Sequence, residues 1–82
     1  MGGKCVEIYQ LRQFAAVAKT ENMTRAAQSL SMAQPAVSKT IRNLESELGA
    51  ELFERTGKGL RRTEQGDILL RYARAILNAE LD

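Results

Sequence analysis

Residues 22–48 read NMTRAAQSL, then SMA, then QPAVSKTIRNLESEL. Two amphipathic segments separated by three residues cannot return alongside one another, so they must cross steeply. Ala27 and Leu30 lie one helical turn apart in the first segment, Met32 fills the break, and Val37, Ile41, Leu44 and Leu48 follow at i, i+4, i+7 and i+11 in the second. One face of each helix therefore goes inward. Ala26 and Ala27 are small enough to let the two backbones approach closely. The pattern is that of a helix-turn-helix, with its second helix predicted over Gln34–Leu48, about 22 Å long at 1.5 Å per residue.

Outside this apolar seam, at the front of the second helix, stand Gln34, Pro35, Ala36, Ser38 and Lys39. They are small or polar, and three carry hydrogen-bonding side chains, a set suited to the base edges of a major groove roughly 12 Å wide. Gln34 is the expected principal reader, because its amide both donates and accepts and adenine is its natural partner. Pro35 and Ala36 offer apolar contact to thymine methyls. Pro35 belongs in the first turn, where a missing N–H costs nothing, and Gly49 is the expected left-handed terminator. Asn22 is a good cap for the preceding helix, whose first turn holds Thr24 and Arg25, an arrangement fit for a phosphate. The plainer alternative is a solvated first turn. Arg42, farther along the second helix, is assigned to the nucleic-acid backbone with Thr24 and Arg25.

The run AAQSLSMAQPAVSKTIRNLESELGAELFER, with Thr63 and Gly66 beyond it, resembles the signature of the LysR-type transcriptional regulators. The resemblance covers about residues 11–77. It rests on the paired Ala26 and Ala27, on Gln34-Pro35-Ala36-Val37-Ser38, on Leu44-Glu45 through Leu48-Gly49, and on Leu52-Phe53-Glu54-Arg55. Two positions depart from the family pattern. Ala33 stands where a capping Ser or Thr is usual, a loss of roughly 1 kcal/mol to the helix. Lys39 stands where Arg is more frequent, which removes the bidentate fork and with it the expectation of guanine selectivity.

Around this centre, Leu11, Phe14, Val17 and Ala18 recur at helical spacing between Glu7 and Lys19 and predict a platform helix with Phe14 as its largest anchor. After it, Leu52-Phe53-Glu54-Arg55 and Leu60-Arg61-Arg62 flank Thr56-Gly57-Lys58-Gly59 and predict a β-hairpin, the wing of a winged helix. Arg55, Thr56, Lys58, Arg61 and Arg62 are expected to lie along a DNA backbone or in its minor groove. The bland reading makes Arg61 and Arg62 merely solubilising. From Thr63 a last helix is predicted, with Leu69, Tyr72, Ile76 and Ala79 at three- and four-residue steps and Ile68, Leu77 and Leu81 widening the stripe. One helix on an 82-residue chain cannot bury all of that. The expected class is mainly α: a winged helix-turn-helix with a three-helix core and hairpin wing over residues 1–62, then a long linker helix over 63–82.

Composition narrows the function. The net charge is +2, but residues 1–62 hold ten Lys and Arg against six Asp and Glu, and residues 63–82 hold two against four. The basic part is expected to face a polyanion. Cys5 stands alone and there is no His, so neither an internal disulfide nor a protein zinc site is expected, and a reducing, cytoplasmic setting is. No apolar run approaches the roughly 20 residues of a membrane span. Met1–Lys4 carries no structural signal and is expected to fray. An enzyme is the weakest rival, because there is no imidazole base and Glu45, Glu47, Glu51 and Glu54 read as solvated faces. A protein-interaction module is a stronger rival, since the last helix is built for a partner; another winged-helix family is the runner-up among DNA binders.

The resemblance implies more. In the family the linker helix pairs with its copy in a second subunit, here through Leu69, Tyr72, Ala73, Ile76 and Leu77, and leads to a C-terminal domain that binds a small-molecule inducer. The chain is therefore read as the DNA-binding fragment of such a regulator or as a naturally short relative, with no cofactor of its own. A homodimer on an inverted-repeat promoter site, a tetramer for the full-length protein and contact with RNA polymerase are the implied assemblies.

Overall fold

A computed structural model describes residues 6–81, and side chains as far as residue 78. The expected fraying of Met1–Lys4, the surroundings of Cys5 and the contributions of Ala79 and Leu81 lie outside the described residues. Four helices and one hairpin follow in the order α1 (Ile8–Thr20), α2 (Met23–Leu30), α3 (Gln34–Leu48), β1 (Phe53–Thr56), β2 (Gly59–Arg62) and α4 (Glu64–Leu81).

Each boundary has a local cause. The Glu7 N–H donates to Gln10 Oε1 at 2.8 Å, half of a capping box, and starts α1. Glu21 ends it in the left-handed region, at φ 50°, with its N–H donating to the Val17 carbonyl at 2.7 Å. Asn22 then caps α2, its Oδ1 accepting from the Arg25 N–H at 2.9 Å. Ser31 closes α2 at φ 57°, and Gly49 closes α3 at φ 66° as its residue type predicts.

Helix α1 is the hub, packing on α2, α3 and α4. Phe14, Val17 and Ala18 are wholly buried with Ala26, Val37, Leu44 and Ala73, so every helix contributes at least one fully buried side chain. The alanine pair behaves as its size requires: Ala26 and Ala27 both sit in the α2 crossing with no appreciable exposed surface. The Phe14 and Phe53 rings lie 5.5 Å apart at a tilt of 44°, within the range of favourable aromatic pairs, and seat the hairpin on the helical core.

The hairpin is tighter than the spacing suggests. Its register runs Phe53↔Arg62, Glu54↔Arg61, Arg55↔Leu60 and Thr56↔Gly59, so Thr56 and Gly59 belong to the strands and only Gly57-Lys58 forms the turn. The Thr56 hydroxyl accepts from the Lys58 N–H and donates to the Gly59 carbonyl, both at 3.2 Å, and Gly59 adopts φ 125°, open to few other residues.

Three sequence expectations need correction. Leu48 does not go inward with Val37, Ile41 and Leu44; it is 43% exposed, because the last turn of α3 runs past the core. Glu45 is not a solvated carboxylate: its Oε2 accepts from the Leu52 N–H at 2.8 Å and the Phe53 N–H at 3.4 Å, holding the backbone that enters β1. On α4 the apolar stripe divides. Leu70, which the spacing argument passed over, and Ala73 are buried against α1, with Leu69 and Leu77 packed partly against the core, whereas Ile68, Tyr72 and Ile76 form an exposed ridge at i, i+4 and i+8. Ala73 therefore has no surface to offer a second subunit. By packing, the first half of α4 belongs to the same core as residues 1–62.

The joint into α4 is narrow. The Thr63 hydroxyl donates to the Glu51 carbonyl at 2.6 Å and accepts from the Gly66 N–H at 3.0 Å, while the Thr63 N–H donates to the Leu52 carbonyl at 3.0 Å. A Cβ on Gly66 would collide with that same Leu52 carbonyl oxygen, a backbone atom with little freedom to yield. Gly66→Ala should cost roughly 1–3 kcal/mol as overpacking. The melting temperature in circular dichroism is expected to fall by roughly 4–8 °C for each kcal/mol; an unchanged midpoint would show that α4 can shift away.

Candidate nucleic-acid interface

The face where α2, α3 and the hairpin meet is set by helical geometry. On α3 the buried arc holds Val37, Thr40, Ile41 and Leu44. At 100° per residue, this leaves Pro35, Lys39 and Arg42 at the centre of the outer arc, with Gln34 and Ser38 on the flank toward the hairpin. Gln34, Pro35, Ala36 and Lys39 are exposed and Ser38 is half-buried. The Gln34 Nε2 donates to Ser38 Oγ at 3.2 Å across one turn, an exposed bond that orients the amide while leaving its oxygen open. The polar ledge is thus on the surface.

Two adjoining clefts open on the hairpin side of the ledge. One, of about 230 Å³, is lined by Ser38, Arg42, Glu45 and Arg55 over a floor that includes Met23, Ile41 and Phe53. The other, of about 240 Å³, lies between the α2 N-terminus and the hairpin, with Thr24, Gln34 and Arg55 at its edge. Arg55 stands in both, and joins the reading helix to the wing. Thr24 and Arg25 are exposed in the first turn of α2, beside Asn22, where the positive end of the helix dipole favours an anion.

The wing cations, taken as one set from the sequence, separate in space. Cross-strand partners share a face of a hairpin. Arg55 therefore lies with Phe53, Leu60 and Arg62 on the inner face, and Arg61 lies with Glu54 on the outer one, while Lys58 occupies the turn. Thr56 is engaged in holding that turn. Arg62 must be removed from the expected contacts: its guanidinium donates to the Ala18 carbonyl at 2.6 Å and to Asp67 Oδ1 at 2.7 Å, and points into the fold rather than out along the wing. Ala18 lies 44 positions away, and Asp67, although only five residues on, sits across the joint into α4, where neither a helical nor a strand repeat marks the pairing. For Glu45, the only sequence hint is its place on the hairpin flank of α3, next to buried Leu44.

Ala33 caps α3 without a side-chain bond, as the missing hydroxyl implies. The deficit is smaller than the capping range suggests, because Pro35 lacks one of the orphan donors and the Ala36 and Val37 N–H groups both reach the Ala33 carbonyl, at 3.0 and 3.3 Å.

A helix-turn-helix with an exposed reading helix, a basic hairpin beside it and a capped helix N-terminus in front defines a winged helix-turn-helix DNA-binding domain. The chain belongs to the lysR family of bacterial regulatory helix-turn-helix proteins, whose model matches residues 8–67. It is 51% identical over 71 residues to the RuBisCO operon transcriptional regulator of Allochromatium vinosum, a match covering 87% of this chain and 24% of that protein. Among solved structures it is similar to the BenM DNA-binding domain in complex with benA site 1 DNA, with a TM-score of 0.85 and 39% identity over 90% of this chain and 86% of that one. The CbnR DNA-binding domain in complex with DNA gives a TM-score of 0.86 and 39% identity, covering 92% and 86%. The chain spans about a quarter of the length of the curated relatives it matches. Among the described residues, no helix is long and apolar enough to cross a membrane.

Ala33→Ser is expected to stabilise the domain by about 0.5 kcal/mol, the low end of capping effects. The melting temperature should then rise by roughly 2–4 °C. A gain well above this would mean that the first turn of α3 is held less well than its two carbonyl bonds imply.

Proposed function

We propose that the chain binds double-stranded DNA sequence-specifically, as a dimer on an inverted-repeat promoter site, within a LysR-type transcriptional regulator. The observation that carries this reading is the surface ledge of Gln34, Pro35, Ala36, Lys39 and half-buried Ser38 on the front of α3, beside two clefts edged by Arg42, Arg55 and Thr24. Gln34 and Ser38 read base edges, Pro35 and Ala36 meet thymine methyls, and Lys39 contributes a point charge to a base or phosphate. Thr24, Arg25 and Arg42 hold the backbone, fixing the register in which α3 enters the groove. Arg55, Lys58 and Arg61 extend that hold along the wing.

The dimer uses the exposed ridge of Ile68, Tyr72 and Ile76, with Leu69 at its margin; Leu77 lies on the opposite flank, beside Leu70 and α1. Two-fold pairing there presents two copies of α3, and half-sites one turn apart separate them by roughly 34 Å. The DNA complexes of the BenM and CbnR domains support the DNA assignment by likeness of fold and sequence. The role is regulatory rather than enzymatic and its setting is the cytoplasm. A further domain binding a small-molecule inducer, tetramer formation and contact with RNA polymerase belong to the whole regulator.

Gln34→Ala should weaken binding to the duplex that the chain selects from a randomised pool by about 1–3 kcal/mol, with little change on scrambled DNA, in fluorescence anisotropy. Equal loss on both would show that Gln34 does not read sequence. Ile76→Asp should yield monomers in sedimentation velocity; a dimer that persists would place the interface elsewhere.

A further inference from the structure

We infer that Arg62 is a positioning residue, which fixes the root of the wing and the first turn of α4 against the end of α1 and acts on DNA only through that placement. The inference rests on the DNA-binding reading for its functional consequence, though the bonding itself does not. Arg62 is the last residue of β2, and a single residue, Thr63, separates it from α4. From this joint three bonds go to three places. Its N–H donates to Glu21 Oε2 at 3.1 Å, its guanidinium donates to the Ala18 carbonyl at 2.6 Å, and its Nε donates to Asp67 Oδ1 at 2.7 Å. The side chain is 33% exposed and that of Asp67 57%, so the pair sits at the rim, not on the tip of the hairpin.

The three partners matter by position. The Ala18 carbonyl belongs to the last turn of α1, where helical carbonyls lack partners and the dipole favours a cation. Glu21 is the left-handed residue that ends α1 and immediately precedes Asn22, the cap of the helix that carries Thr24 and Arg25. Asp67 lies in the first turn of α4, the helix that bears the exposed ridge. The arginine side chain thus ties the last turn of α1, the wing and the departure direction of α4 into one arrangement, while the backbone N–H of the same residue holds Glu21, just ahead of the α2 cap. A lysine could not replace it, since a single ammonium on a flexible stem does not reach two acceptors from a planar fork.

The test separates a positioning residue from a phosphate contact by sign, slope and rescue. Affinity for the duplex selected by the wild-type chain is measured by fluorescence anisotropy across a salt series for Asp67→Asn, Arg62→Lys, Arg62→Ala and Arg61→Ala. Removing the negative charge of Asp67 should strengthen DNA binding if electrostatics alone decide; the positioning role requires it to weaken, by about two- to fivefold, the scale of a partly exposed ion pair. Arg62→Lys should weaken binding as much as Arg62→Ala, and both should leave the slope of log affinity against log salt unchanged, whereas Arg61→Ala should lower it by about 0.9. Tighter binding by Asp67→Asn, rescue by Arg62→Lys, or a reduced slope for Arg62→Ala would overturn the inference.

Amide hydrogen exchange gives a readout that does not need DNA. In Asp67→Asn, which keeps Arg62 and removes only one acceptor charge, exchange across the Phe53–Arg62 ladder should speed up by about two- to fivefold while α3 amides hold their rates. Unchanged exchange in the wing would also overturn the inference. If the wild-type chain selects no duplex at all, the DNA-binding reading fails while the exchange result still decides the role of Arg62.

Discussion

The burial of Phe14 is the constraint on which the rest of the molecule depends. A chain this short has few large apolar side chains, and Phe14 is the largest that is fully enclosed. It sits on α1, which packs on α2, α3 and α4, and its ring meets Phe53 at the entrance to the hairpin. Through that contact the wing is seated on the same core that sets the crossing of α2 and α3. Truncating Phe14 would open a cavity beneath the reading helix and the wing together.

The fold was largely legible because its strongest signals are local. The seam of Val37, Ile41 and Leu44, the small pair Ala26-Ala27, the cap Asn22 and the terminator Gly49 each follow from one helical period or one backbone requirement, and each lies where those rules place it. What the sequence did not reveal was long-range and polar. The Glu45 carboxylate serves backbone N–H groups seven and eight residues away, and Arg62 reaches Ala18 across 44 positions. No periodicity encodes such pairings. The stripe on α4 failed differently: its apolar residues spread over more than one face and could not be assigned to core or surface until α1 was in place, and Leu70, outside the stripe as read, and Ala73 then went inward. Leu48 fits the helical seam well, yet the core ends before it.

The candidate site shows the same division. The ledge on α3 was legible because the apolar seam defines its complement, and both flanks of a helix are fixed once one is known. The wing was legible as a basic hairpin but not as a set of separate roles. Its register puts Arg55 toward α3 and Arg61 on the opposite face beside Glu54, while Arg62 turns back to the end of α1 and the start of α4 at the rim of the fold. A count of basic residues therefore overstates the charge available to a phosphate backbone. The open amide oxygen of Gln34, the exposed Lys39 and the capped turn of α2 form a smaller but better aligned set.

The division of α4 into two flanks has a thermodynamic consequence. Leu70 and Ala73 help to close the core from one side of the helix, while Ile68, Tyr72 and Ile76 lie bare on the other. Any association that covers the bare side also restrains the side that completes the core. Folding and assembly then share one equilibrium, and by mass action the thermal midpoint of the domain climbs as the protein is concentrated.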